Sequence, residues 1–196
     1  MRFLAFTLAL ALTFIVLFKT ISPTFKTRQA TLNNATIIKP KTALKPFKLL
    51  DTKNHSFTEK NLRGFWTVLF FGYMGCPGVC PATLNIMQQT FQEFADGKAP
   101  VKFVFVNINQ EIPKLADLSS YIKDYNENFI AVVGNNEELA KLTNQLGIFA
   151  NKEAEGIINH TSSLMLINPN GQLTAVISPP FNSKELASDL KVLTKS

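Results

Sequence analysis

The run Trp66-Thr67-Val68-Leu69-Phe70-Phe71 ends in Gly72 and passes within a few residues into Gly75-Cys76-Pro77-Gly78-Val79-Cys80-Pro81. A short, almost wholly apolar run closed by glycine fits a strand buried on both faces, and the Gly- and Pro-rich stretch after it is a turn. Beyond the turn, Leu84, Met87, Phe91 and Phe94 recur at helical spacing, with Pro81 suited to a first-turn position. The segment is thereby committed to a strand-turn-helix unit. Its turn holds Cys76 and Cys80, the only cysteines in 196 residues. Unpaired N–H groups and the positive dipole end at a helix start favour thiolate over thiol. A dithiol, reactive or metal-binding, is the first expectation.

The rest of the pattern alternates. Phe47–Leu50 and His55–Phe57 flank the turn-rich Asp51-Thr52-Lys53-Asn54 and predict a small hairpin, followed by a helical turn at Glu59–Leu62. Strands are expected at Trp66–Phe71, Val101–Ile108 and Ile130–Val133, with helices at Pro81–Phe94, Leu115–Tyr125 and Glu137–Leu146 between and after them. Leu164–Ile167 and Thr174–Ile177 enclose Asn168-Pro169-Asn170-Gly171, a second hairpin signal, and Lys184–Leu193 closes as helix. Such alternation predicts an α/β fold with a mixed, mostly parallel sheet covered by helices. Chemistry in such sheets gathers at the carboxyl ends of the strands, where the cysteine turn falls.

Charge is divided along the chain. Residues 1–50 hold eight Lys or Arg and no acid, whereas the remainder holds twelve against fourteen Asp and Glu. The globular part is mildly acidic, so the overall surplus of +6 gives no electrostatic case for nucleic acid. The basic excess follows an uncharged apolar segment, Phe3–Phe18, led by Arg2. That segment reads as an export signal or short membrane anchor. No A-x-A type cleavage site follows, which favours an uncleaved signal-anchor, although Lys19, Lys26 and Arg28 run against the positive-inside tendency. The expected layout is an anchor at 1–21, a basic tether at 22–45 and one folded domain at 46–196.

Two cysteines in one turn bracketed by Pro77, Gly78 and Pro81 are poorly explained as core filler. Their spacing allows a disulfide if the backbone cooperates, and equally two thiolates on one metal ion. His160, in Asn159-His160-Thr161-Ser162-Ser163 ahead of the second hairpin, bears on the choice. A loop histidine is usually surface, but in a thioredoxin-like arrangement this loop lies beside the cysteine turn. One imidazole with two thiolates is a soft three-ligand set suited to Cu(I) and able to accept Cu(II). His55, among Lys, Asn and Ser, reads as solvated. The competing reading is a thiol-disulfide oxidoreductase in which Cys76, taken as exposed, attacks and Cys80 resolves. A peroxidase would need a Pro and a Thr ahead of its cysteine, and Phe71–Gly75 has neither.

The chain resembles the Sco (SenC) family of thioredoxin-like copper chaperones of cytochrome c oxidase assembly. The resemblance rests on Phe47–Asp51, on Phe71-Gly72-Tyr73 leading to Cys76-Pro77-Gly78-Val79-Cys80-Pro81, on Val133–Glu138, and on His160–Ser163 with Asn168–Gly171. It implies copper ligation by Cys76, Cys80 and His160. It also implies delivery of copper to the oxidase's binuclear site, or reduction of that site's cysteines. Partners would be the copper-site subunit and other copper chaperones or thiol oxidoreductases, with the domain facing the periplasm from a bacterial inner membrane. The family pattern usually has Thr before the first cysteine, an Asp between the pair, an Asp-Pro-x-Arg-Asp-Thr segment after the second core strand, and often Asp before the histidine. Here Met74-Gly75, Gly78, Asn107–Pro113 and Asn159 stand instead, so three acidic groups near the site are absent.

Overall fold

The computed structural model describes residues 32–94, 101–109, 111–153 and 157–194, so the apolar segment expected to act as an anchor lies outside the described residues. No helix among the described residues is long and apolar enough to cross a membrane. In chain order the elements are β1 (Ala35–Ala43), β2 (Lys48–Asp51), β3 (Ser56–Thr58), β4 (Trp66–Gly72), α1 (Val79–Glu93) and β5 (Val101–Asn107). There follow α2 (Leu115–Lys123), β6 (Ile130–Val133), α3 (Asn136–Leu146), β7 (Ala150–Lys152), β8 (Ile158–His160), β9 (Leu164–Ile167), β10 (Gln172–Ile177) and α4 (Ser183–Leu193). A 3-10 turn at Glu59–Leu62 joins β3 to β4.

Eight strands form one mixed sheet in the order β1-β10-β9-β4-β5-β6-β2-β3, and β7 with β8 makes a separate two-stranded ribbon. Among the described residues only β4–β5 and β5–β6 are parallel. These are the continuous apolar runs, and every residue of β4 is buried, as expected of a strand covered on both faces. Helix α1 supplies Leu84 and Met87 to the core, α3 supplies Leu139, Leu142 and Leu146, and α4 packs along α1. Phe103 and Phe129 stack at 5.3 Å, and Phe91 meets both edge-on at 5.9 Å. Such ring pairs contribute about 0.5–1.5 kcal/mol each beyond the area they bury.

Three strands were not legible in the sequence, and one of them moves the start of the fold. Strand β1 lies within the stretch read as tether, and pairs with β10 from Ala35↔Ile177 to Ala43↔Gln172. Its side chains are mostly exposed, so its own pattern carries no strand signal; the partner imposes the conformation. The irregularity between Ile37 and Thr42 encloses Lys39-Pro40-Lys41, which blunts this sheet edge against further pairing. The buried Asp189 of α4 fixes the strand's entry by accepting the Asn33, Asn34 and Ala35 N–H groups at 2.8–3.1 Å. The β2–β3 pair is likewise part of the sheet rather than a unit ahead of it, since Leu50 and Asp51 pair with Val133 and Val132.

Candidate thiol and metal centre

At the carboxyl ends of β4 and β5 the chain turns sharply. The Gly72 carbonyl accepts the Ile108 N–H at 2.8 Å, and the Tyr73 carbonyl accepts the Cys76 N–H at 3.3 Å. In the turn Tyr73–Cys76, Gly75 stands at φ +84°, a conformation that glycine adopts without strain at this turn position. Asn107 Oδ1 holds the Met74 N–H at 3.3 Å. Gly78, the N-cap of α1, has no side chain to accept the helix's first N–H groups. The Cys76 sulfur takes that role, accepting from the Cys80 N–H at 3.5 Å and from Gly78. Pro81 falls in the first turn, where its missing donor leaves nothing unpaired.

This cap sets the two thiols apart. Burial pushes the Cys76 thiol up, but the N–H groups of Gly78 and Cys80, the Cys80 thiol and the Tyr73 phenol together hold it below its ordinary value. Burial pushes Cys80 to about 12, helped by the neighbouring Cys76 and opposed by a hydrogen bond from the Tyr73 backbone. Cys76 is less open than the sequence suggests, at 8% exposure, because its sulfur turns inward to the helix end. It nevertheless lines an open depression with Tyr73, Gly78, Val79, Ile157 and His160, whereas Cys80 is wholly enclosed. Glu153 is the sole carboxylate among the described lining residues, consistent with the loss of acids noted at Gly78 and Asn159.

His160 is the last residue of β8, not part of a free loop. Its Nδ1 lies 3.0 Å from the Thr161 carbonyl oxygen. A carbonyl can only accept, so Nδ1 carries a proton, and in the neutral imidazole the Nε2 lone pair faces the Cys80 sulfur at 3.6 Å. The ligand atoms of Cys76, Cys80 and His160 lie within 4.8 Å of one another, the one such cluster of three among the described residues. Ligand bonds of roughly 2.0–2.3 Å, the lengths known for imidazole and thiolate on zinc, place trigonal ligand atoms roughly 3.5–4 Å apart. Small shifts bring this set to that geometry, and two soft sulfurs with one imidazole fit copper. His55 is outside the cluster, 73% exposed in the β2–β3 turn and 3.3 Å from Asp51.

Tyr73 and Asn107 also shape the centre, and sequence reasoning gave them no separate role. The available signal was their position: each stands at the carboxyl end of a core strand, beside the turn.

The SCO1/SenC family model matches residues 35–195. A SCO2-like protein of Rickettsia prowazekii is 26% identical over 147 residues, 72% of either chain. The copper-bound structure of Bradyrhizobium japonicum ScoI aligns at TM-score 0.68 and 25% identity, covering 76% of this chain and 98% of that one. BsSco, described as having a disulfide switch and as a member of the Sco family of cytochrome c oxidase assembly proteins, aligns at TM-score 0.66 and 17% identity, over 81% of this chain and 98% of its own. The fold is the thioredoxin-like one of these proteins. The family match opens on the first residue of β1 and runs past the end of α4, so both halves of the centre fall within it, and the chain belongs to the SCO1/SenC family.

Proposed function

We propose that this protein is a copper-binding assembly factor, in which the Cys76 and Cys80 thiolates and His160 Nε2 hold one Cu(I), or Cu(II), for the binuclear copper site of cytochrome c oxidase. The observation that carries the reading is the convergence of these three side chains on one fold-defined point, within 4.8 Å. Copper is cargo here, received and surrendered by exchange of thiolates with a partner through the open depression beside Cys76. The apolar Phe3–Phe18 segment led by Arg2 supports export and attachment to a bacterial inner membrane with the domain in the periplasm, and the charges of the basic stretch ahead of β1 would meet anionic lipid heads there. Titrating the reduced protein with Cu(I) against a competing chelator tests the site. One equivalent is expected, held about 10- to 100-fold more weakly after His160→Ala, and equal affinity in both proteins overturns the three-ligand site.

The unequal thiols favour a second use of the same pair. The Cys76 thiolate attacks one sulfur of a partner disulfide, and the partner's other sulfur leaves and takes a proton from water. Cys80 gives its proton to His160 Nε2, 3.6 Å away, and attacks the Cys76 sulfur of the mixed disulfide. The partner leaves with both sulfurs reduced, and Cys76 and Cys80 end as a disulfide having supplied two electrons. Cys80→Ser is expected to trap the mixed disulfide, and Cys76→Ser to form none. Adducts of equal yield from both variants would remove this order of attack.

A further inference from the structure

Tyr73 belongs to neither pair of ligand types, yet it touches both. It lies on the cysteine turn and is 5% exposed. Its hydroxyl oxygen accepts the Ile158 N–H of β8 at 3.3 Å, two residues before His160. Its ring meets the His160 imidazole edge-on, with centroids 5.9 Å apart and planes at 85°. Strand β8 has three residues and, among the described residues, pairs only with the fully exposed three-residue β7, a ribbon too short to hold its shape alone in water. The bonds between Phe149 and Thr161 tie the ribbon to its own base. The Tyr73 hydroxyl is the group on the cysteine turn that holds the ribbon by a backbone hydrogen bond. We propose that Tyr73 is a positioning residue that sets the His160 imidazole over the cysteine pair, its hydroxyl fixing β8 and its ring edge fixing the imidazole plane. Loss of the hydroxyl leaves a buried N–H without its acceptor and lets the ribbon drift from the thiols. The spacing between the two halves of the centre then rests on the ring-edge contact, the packing of the Ile158 side chain and the Cys80–His160 contact, with no backbone bond from Tyr73 to fix it.

Tyr73→Phe keeps the ring and removes the hydroxyl, which is both the acceptor of the Ile158 N–H and a hydrogen-bond partner of the Cys76 sulfur. In the metal-free, reduced variant at fixed pH, amide exchange at Ile158 is expected to rise about tenfold or more while the amides of β4 and β5 stay protected. The two ring-nitrogen NMR signals of His160, widely split by its locked Nδ1–H form, are expected to move toward each other. Unmoved ring signals overturn the proposal. Copper supplies an independent arm that rests on the reading of His160 as a ligand. Cu(I) affinity is expected to fall about tenfold in Tyr73→Phe, in the range of outer partners of a metal ligand, and to fall by clearly less when the substitution is added to His160→Ala, where only the bond to the Cys76 sulfur is lost. Equal weakening in both backgrounds would make Tyr73 a general support of the turn and overturn its role toward His160. If His160→Ala binds like the unaltered protein, the ligand reading fails on its own account, and the His160 ring signals decide the proposal.

Discussion

The two halves of the candidate centre are built to different stiffness. The cysteine half hangs from β4, every residue of which is buried, and its sulfurs are locked into the first turn of α1. The histidine half rides on a ribbon whose β7 is exposed throughout and whose neighbours Phe149 and Ile157 are 58% and 44% exposed. Few buried contacts mean that a segment opens locally at low free energy, without disturbing the fold. For a site that must hold a metal and then surrender it, this gives an order of events. With an ion held by all three side chains, His160 would be the first to leave, and the two thiolates would keep the ion in place for a partner's incoming sulfur.

Removing Cys80 attacks the stiff half and is expected to have the largest effect. It lies enclosed beneath the turn, and Cys80→Ser should weaken Cu(I) binding by more than about a hundredfold, beyond the loss typical of outer partners of a ligand. Chelator competition measures this. A Cys80→Ser protein that loses less than His160→Ala would reverse the assignment of stiff and mobile halves.

Next in size is the response to pH. Cys80, pushed to about 12, is protonated in the metal-free protein at neutral pH and must release that proton to bind as thiolate. Apparent Cu(I) affinity should therefore rise about tenfold per pH unit on its account, and fall as the solution is acidified. The metal-free fold should show the opposite trend in alkali. A thiol of ordinary value near 8.5 in the unfolded chain ionises while the folded Cys80 stays protonated. Folding then binds more protons than unfolding, so stability falls as pH climbs from about 8.5 towards 12. Denaturant titrations of the protein and of Cys80→Ala across that range check the sign, since the variant should lose this part of the slope.

A smaller effect is expected where the stiff half is packed from behind. A Cβ at Gly72 would sit 2.8 Å from Phe105 Cε2 and 2.9 Å from the Cys80 sulfur, so Gly72→Ala must displace one of them. Overpacking of this kind costs about 1–3 kcal/mol, readable as a lower urea midpoint. Gly78→Ala is the matched control, because a Cβ there meets nothing within 4 Å, and it should lower the midpoint only by the smaller loss of a favourable N-cap residue, below about 1 kcal/mol. Equal losses would mean that the close approach of β4 to Cys80 is not what fixes the sulfur.

The same difference in stiffness decides what the sequence discloses. β4, α1 and the cysteine turn are buried, and burial writes itself into the chain as apolar runs, helical periodicity and punctuating Gly and Pro. The thiols were therefore legible with their place in the fold. Strands β1 and β7 are exposed and owe their form to a partner strand, so their residues show no alternation. β8 is only three residues long, and His160 accordingly reads as a loop residue. It joined the site through the expected thioredoxin-like arrangement and then the family resemblance, and not through a local pattern. Tyr73 was in plain view, but the bond that gives it a role crosses 85 positions to Ile158, and no local signal reports such a contact.

The smallest effect is expected at the other histidine, and it separates chemistry from composition. His55 Nδ1 stands 3.3 Å from Asp51 Oδ2, but the imidazole is 73% exposed, where such a pair contributes at most about 1 kcal/mol. The turn does not depend on it, because Asp51 Oδ1 already accepts the Lys53 and His55 backbone N–H groups at 2.8 Å. His55→Ala should therefore leave copper stoichiometry and affinity unchanged and barely move the urea midpoint, while Asp51→Ala, losing two backbone bonds, should cost about 1–2 kcal/mol. His160 has the reverse balance: a fixed Nδ1 proton, a lone pair turned on a buried sulfur, and little part in holding the fold. If His55→Ala weakens Cu(I) binding as much as His160→Ala, the metal is following imidazole content and not the geometry that Tyr73 and Thr161 impose.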